Sequence, residues 1–166
     1  MTPGGSRFVS TLVHSGVELV TAVPDSLTAS ALHDVGSCEA LTYIQAADES
    51  SAVCLAAGFA LAGRRSIVIM ENSGLRRGCE ALARLGLTHG IHVVALISYR
   101  GAFGEANWWG IGHHATMAPL LDALGLRSAE VRTADELARR LPEAYSMFQT
   151  RETSVALVVH REALDG

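Results

Sequence analysis

Glu49 stands where a carboxylate can do chemistry. It lies in Ala47-Asp48-Glu49-Ser50-Ser51-Ala52-Val53, directly after the β-like run Leu41-Thr42-Tyr43-Ile44-Gln45 and directly before the small-residue helical pattern Cys54-Leu55-Ala56-Ala57-Gly58-Phe59-Ala60. A carboxylate at a strand-to-helix junction sits at the carboxyl edge of a parallel sheet, where open α/β folds build their sites. An acid in the first turn of a helix also complements the macrodipole with no further duty, so its position alone leaves both readings open. Other polar clusters share the placement: Pro24-Asp25-Ser26, Glu71-Asn72-Ser73-Gly74-Leu75, Ser98-Tyr99-Arg100-Gly101 and His113-His114 fall at the ends of other expected strands.

The elements that must position these groups alternate with little waste. Residues 8–14 read as a helix closed by Gly16, and 17–23 as a strand ending at Pro24. Ser26 caps a helix through Val35, 41–45 is a second strand, and 48–61 is a helix ended by Gly63. Ser66 to Met70 is continuously apolar, as buried parallel strands are. Helix 75–85 stops at Gly86 and strand 91–98 follows; residues 99–112 form a long polar and aromatic loop, of the kind that tends to be functional. Helix 117–124, strand 128–131, a helix opened by the capping box Thr133-Ala134-Asp135-Glu136, and strand 155–159 complete the chain. The spacing predicts one α/β domain over residues 1–166, a doubly wound, six-stranded parallel sheet flanked by helices.

Composition removes several functional classes. The chain has 166 residues, 49% of them hydrophobic and 18% charged, with a net charge of -4. Its arginines are scattered, and no basic stripe is present to replace the counterions of a nucleic acid. Cys38, Cys54 and Cys79 show neither a disulfide framework nor a CxxC spacing. No run approaches membrane-spanning length and no signal-peptide pattern opens the chain, so the expectation is a cytoplasmic protein without nucleic-acid or membrane partners. Gly110-Ile111-Gly112-His113-His114-Ala115 matches a dinucleotide fingerprint but follows a Trp-rich loop instead of emerging tightly from a strand. His89 and His92 with His113 and His114 lack any metal-ligand spacing, and no metal site is expected in this chain.

Taken in order, Val23-Pro24-Asp25-Ser26, Asp48-Glu49, Asn72-Ser73-Gly74-Leu75 and Arg100-Gly101 resemble the pyrimidine-binding domain of thiamine diphosphate-dependent decarboxylases, in particular the sulfopyruvate and phosphonopyruvate branch. The resemblance covers nearly the whole chain. It departs after Leu75, where Arg76-Arg77 replace the family's Gly-Asn, and in Gly104-Glu105-Ala106-Asn107-Trp108-Trp109.

The resemblance implies that Glu49 hydrogen-bonds the cofactor's aminopyrimidine, a task suited to an apolar setting. It implies cofactor contacts from Asn72, Ser73, Gly74 and Leu75, and proton transfer by His113 or His114 with help from Asp25. Ser26 and Arg100 would meet the anionic tail of a short 2-oxo acid. Arg76 and Arg77 are further candidates, since Arg forks suit sulfonate and phosphonate oxygens. Blander roles compete: an exposed turn and capping partner for the histidines, an N-cap for Asp25, and surface arginines.

The family's Gly-Asp-Gly segment, which with a later Asn holds magnesium and diphosphate, is not found in this sequence. The expectation is therefore an α subunit of a thiamine diphosphate-dependent 2-oxo acid decarboxylase. A β subunit supplies the diphosphate and Mg2+ site, in an α2β2 assembly. A carboligase of acyloin or acetolactate type and a non-catalytic regulatory subunit are the alternatives. The stripe Ala52, Ala56, Ala57, Ala60 suits close packing on a neighbour or on the chain's own sheet.

Overall fold

The computed structural model describes residues 6–164. The apolar runs become buried strands: β1 (Leu19–Ala22), β3 (Ser66–Glu71), β4 (Val94–Ser98) and β6 (Val155–Val159). The more polar β2 (Thr42–Gln45) and β5 (Arg127–Val131) form the edges, giving the order β2-β1-β3-β4-β6-β5 with every pair parallel.

Side chains alternate across a sheet, so each strand feeds two cores. Ile67, Ile69, Leu96 and Leu157 pack with α1 (Arg7–His14), α2 (Ala29–Gly36) and α6 (Ala134–Phe148). Val68, Met70, Ile97 and Val158 meet α3 (Glu49–Leu61), α4 (Asn72–Leu82) and α5 (Trp108–Ala123) on the opposite face. This is the doubly wound layer that the alternation of patterns predicts. Ala52, Ala56 and Ala57 are buried against the sheet of their own chain, which accounts for most of the small-residue stripe.

Strand β4 begins at Val94 instead of residue 91, and three helices depart from the sequence reading, each for a local reason. The cap of α2 is Thr28 rather than Ser26, because the Asp25 carboxylate accepts from Leu27 N–H (2.6 Å), Thr28 N–H (3.2 Å) and the Thr28 hydroxyl (2.7 Å). Helix α4 begins at Asn72 and runs on through Gly86 as a π-helical stretch, Ala83–Thr88, closed by Ile91 N–H on Leu85 C=O. An isolated glycine costs a helix only about 1 kcal/mol against alanine and need not stop it. Helix α5 likewise begins at Trp108, so Gly110 and Gly112 are helical and the preceding loop ends at Asn107.

The carboxyl edge of the sheet is held by one side chain from the end of β4. Arg100 donates from Nε to Glu71 Oε2 (3.2 Å), pairs through Nη1 with Glu105 Oε2 (3.5 Å) and donates from Nη2 to Ser26 Oγ. Asn72, fully buried, donates to Arg100 C=O (2.8 Å) and accepts from Arg100 N–H (3.3 Å). These contacts join the segments after β1, β3 and β4. The strand order reverses between β1 and β3, the place where such sheets open a crevice.

Two tests follow from this packing. The Tyr145 hydroxyl, deep in the core, donates to Ser66 C=O at 2.9 Å, and burial raises its phenol far above the usual 10.0. A raised folded value means that this contribution is complete below the unfolded value and is lost as pH rises beyond it. Tyr145→Phe should cost about 1–2 kcal/mol at neutral pH and flatten the fall in stability above about pH 10, both read by urea denaturation. Arg100→Ala removes the cation that joins Glu71, Glu105 and Ser26, so the same measurement should show a lower urea midpoint than wild type.

Candidate active site

Four helix starts and strand ends meet at the carboxyl edge. Asp48 caps α3, its carboxylate accepting from Ser51 N–H at 2.7 Å, so Glu49 is not needed as the cap. The Glu49 side chain lies instead against the first turn of α4. A Cβ built on Gly74 would stand 2.3 Å from Glu49 Oε1 and 2.6 Å from its Cγ, so no residue but glycine fits while Glu49 lies there. One turn on, Gly78 passes 3.7 Å from Glu49 Cβ and Val53 Cγ2 and 3.8 Å from Met70 Cε, measured from the same ideal Cβ position. The stem of Glu49 is thus set among small and apolar groups, and the residue as a whole is half-buried.

The other acids at this edge are all engaged. Asp25 is committed to the turn before α2 and accepts from Ser98 Oγ at 3.3 Å as well. Asp48 pairs with Arg77 at 3.1 Å. Glu71 accepts from Ser73 Oγ at 2.7 Å and from Arg100. Glu105 accepts from Asn107 N–H, Asn107 Nδ2 and Gly101 N–H; the Asn107 backbone bond leads the causes that hold its carboxyl below the usual range, with the Arg100 charge a lesser one. Among the described residues, the Glu49 carboxylate has no hydrogen-bond or ion-pair partner. It is the one acid of the cluster left available for a ligand.

The histidines arrive on α5 rather than on a loop. Arg76 donates to His113 Nδ1 at 2.7 Å, and since a guanidinium has no lone pair, that nitrogen must accept and the ring proton lies on Nε2. His114 Nδ1 lies 2.5 Å from the Tyr99 hydroxyl. Burial, and then Glu130, push the Tyr99 phenol up, so it keeps its proton at neutral pH. Gly101 makes this junction possible: it has φ +90, and a Cβ there would meet Gly110 C=O at 2.2 Å and His114 Cβ at 2.6 Å.

The remaining expected residues divide by what occupies them. Ser73, Gly74 and Leu75 open α4 beside Glu49, with Leu75 fully buried. Asn72 spends its amide on the Arg100 backbone, and each guanidinium nitrogen of Arg100 has a partner, Glu71 at Nε, Glu105 at Nη1 and Ser26 at Nη2. Arg100 thus ties the edge together, with Ser26 as one of its partners. The dinucleotide-like segment 110–115 lies inside α5, not at a strand-to-helix turn. His92 precedes β4 and His113 follows it, so the two lie at opposite ends of the sheet. Glu71, Tyr99 and Glu105 were not singled out from sequence as site residues. Glu71 and Tyr99 stand inside the strand-end clusters, whereas Glu105 lies in the loop after β4 and gave no signal.

No family model matches the chain. It is 25% identical over 148 residues to sulfopyruvate decarboxylase subunit alpha of Methanococcus maripaludis, covering 89% of each chain. The protein of the same name from Methanocaldococcus jannaschii is 26% identical over 155 residues, 93% of this chain and 92% of that one. A third, from Methanothermobacter thermautotrophicus, is 29% identical over 91 residues, 55% of each. Over about nine tenths of its length the chain is therefore similar to two sulfopyruvate decarboxylase alpha subunits.

Proposed function

We propose that the chain is the pyrimidine-binding subunit of a thiamine diphosphate-dependent decarboxylase acting on a short anionic 2-oxo acid such as sulfopyruvate or phosphonopyruvate. The observation that carries this reading is the unpartnered Glu49 carboxylate laid over Gly74, in a cluster where every other acid is satisfied. A lone carboxyl on an apolar stem suits a ring nitrogen that must be hydrogen-bonded and held in one tautomer. The residues present thus fit the cofactor's aminopyrimidine. Bound there, thiamine diphosphate supplies the electron sink for loss of carbon dioxide.

The protein's part is positioning and proton movement. Glu49 holds a proton at the pyrimidine, and the start of α4, Ser73 to Leu75, borders it. His113 presents Nε2–H, and His114, braced by Tyr99, is the second imidazole at hand for moving a proton. Asp25, with both oxygens engaged, fixes the turn beside them.

A second subunit completes the site in this reading, contributing the diphosphate and Mg2+ groups within an α2β2 assembly. The relatives are named as alpha subunits, and this chain leaves Phe103, Trp108 and Ile111 exposed next to the candidate site. No helix among the described residues is long and apolar enough to cross a membrane, and a cytoplasmic location accords with that.

The isolated chain should bind thiamine diphosphate weakly even with Mg2+, and mixing with the β subunit should restore binding and turnover. Tight Mg2+-dependent binding by the chain alone, measured by calorimetry, would overturn the two-subunit reading. In the assembled enzyme, Glu49→Gln should slow exchange of the cofactor's C2 proton by about two orders of magnitude or more while leaving the melting temperature near wild type. Exchange at the wild-type rate would reduce Glu49 to a first-turn acid and favour the regulatory alternative.

A further inference from the structure

Three arginines lie beside the candidate site, and their partners differ. Arg100 is enclosed by Glu71, Glu105 and Ser26. Arg77 turns towards α3 and pairs with Asp48. Arg76, one residue earlier on the helix and so about 100° away around its axis, turns towards α5. Its side chain is exposed, its contact is His113 Nδ1 at 2.7 Å, and no carboxylate lies within ion-pairing distance of it among the described residues.

The contact leaves both partners with donors alone. Arg76 uses one N–H of its fork on Nδ1 and keeps the others; His113, accepting at Nδ1, carries its proton at Nε2. Two adjacent groups with N–H bonds to give, one of them permanently cationic, match an anion with several acceptor oxygens. They stand on the second turns of α4 and α5, just beyond the turn of α4 that Glu49 lies against. Resting on the functional reading above, we infer that Arg76, with His113 beside it, binds the second anionic group of the substrate and sets the preference for a sulfonate- or phosphonate-bearing oxo acid over pyruvate. Arg76 is thereby a specificity residue, and Arg100 a positioning one.

The test uses the reconstituted complex and compares kcat/KM for sulfopyruvate with kcat/KM for pyruvate. Loss of a charge-assisted contact should lower that ratio roughly ten- to hundred-fold in Arg76→Gln, and Arg76→Lys, which keeps the charge without the fork, should recover part of it. Arg77→Gln, on the far side of the same turn, should leave the ratio as it is. A ratio unchanged in Arg76→Gln, or lowered equally in Arg77→Gln, overturns the inference while leaving the decarboxylase reading intact. A complex that turns over no oxo acid sinks that reading instead, and the anion site is then judged by binding. The ring nitrogen signals of His113 in 15N-labelled complex should move on titration with 3-sulfopropionate in the wild type and not in Arg76→Gln. Signals that stay fixed in the wild type, or move in both, refute the site.

Discussion

A cation shared between two acids controls the carboxyl edge of this sheet. Arg100 is satisfied from three directions, by Glu71 at the end of β3, by Glu105 in the loop after β4 and by Ser26 after β1, while Asn72 takes its backbone. The bonds to Ser26, Glu71 and Asn72 cross between segments that the sheet's hydrogen bonds no longer hold once the strands have ended, and the pairing with Glu105 closes the loop after β4. Arg100 and both carboxylates are largely shielded from water, which makes their interaction stronger than that of a surface pair and its disruption more costly. The placement of α4 depends on it, since Glu71 and Asn72 are the cap and first residue of that helix.

With the edge held, the charges sort themselves. Among the described residues, Glu49 on one side of α4 has no cation and Arg76 on the other has no acid, although both lie near Arg77 and Asp48, which are paired. Pairing Glu49 with Arg76 would satisfy both and leave neither for a ligand. Gly74 and Gly78 keep them apart in function, because the bare helix surface lets the Glu49 stem lie against α4 while Arg76 projects towards His113.

Much of this was legible in the residues. The alternation of buried apolar runs with helical patterns produced the fold, and the strand-to-helix junctions located Glu49, Asn72, Arg100 and the histidines at one edge. The roles within that edge were less legible, because an arginine at a strand end reads the same whether two acids enclose it or none does. Only the tertiary arrangement brings Ser26, 74 residues earlier in the chain, to Arg100, and only the path of the loop after β4 turns Glu105 back onto it. The start of α5 was hidden for a related reason: Gly110 and Gly112 read as breakers, whereas Gly110 is where Gly101 presses against the helix. Glycine as a point of contact and glycine as punctuation share one letter.

Gly101 also sets what inheritance can change. Any replacement at that position would demand a left-handed backbone from an L-residue and drive its first carbon into Gly110 C=O and His114 at once. No compensating change nearby removes both obstacles, since one of them is main chain. Just beyond it, the ring of Phe103 lies free of neighbours and Trp108 is mostly exposed. Variation is barred at the hinge and permitted along the rim, so descendants of this sequence can diversify in what they admit to the crevice without first dismantling the edge that forms it.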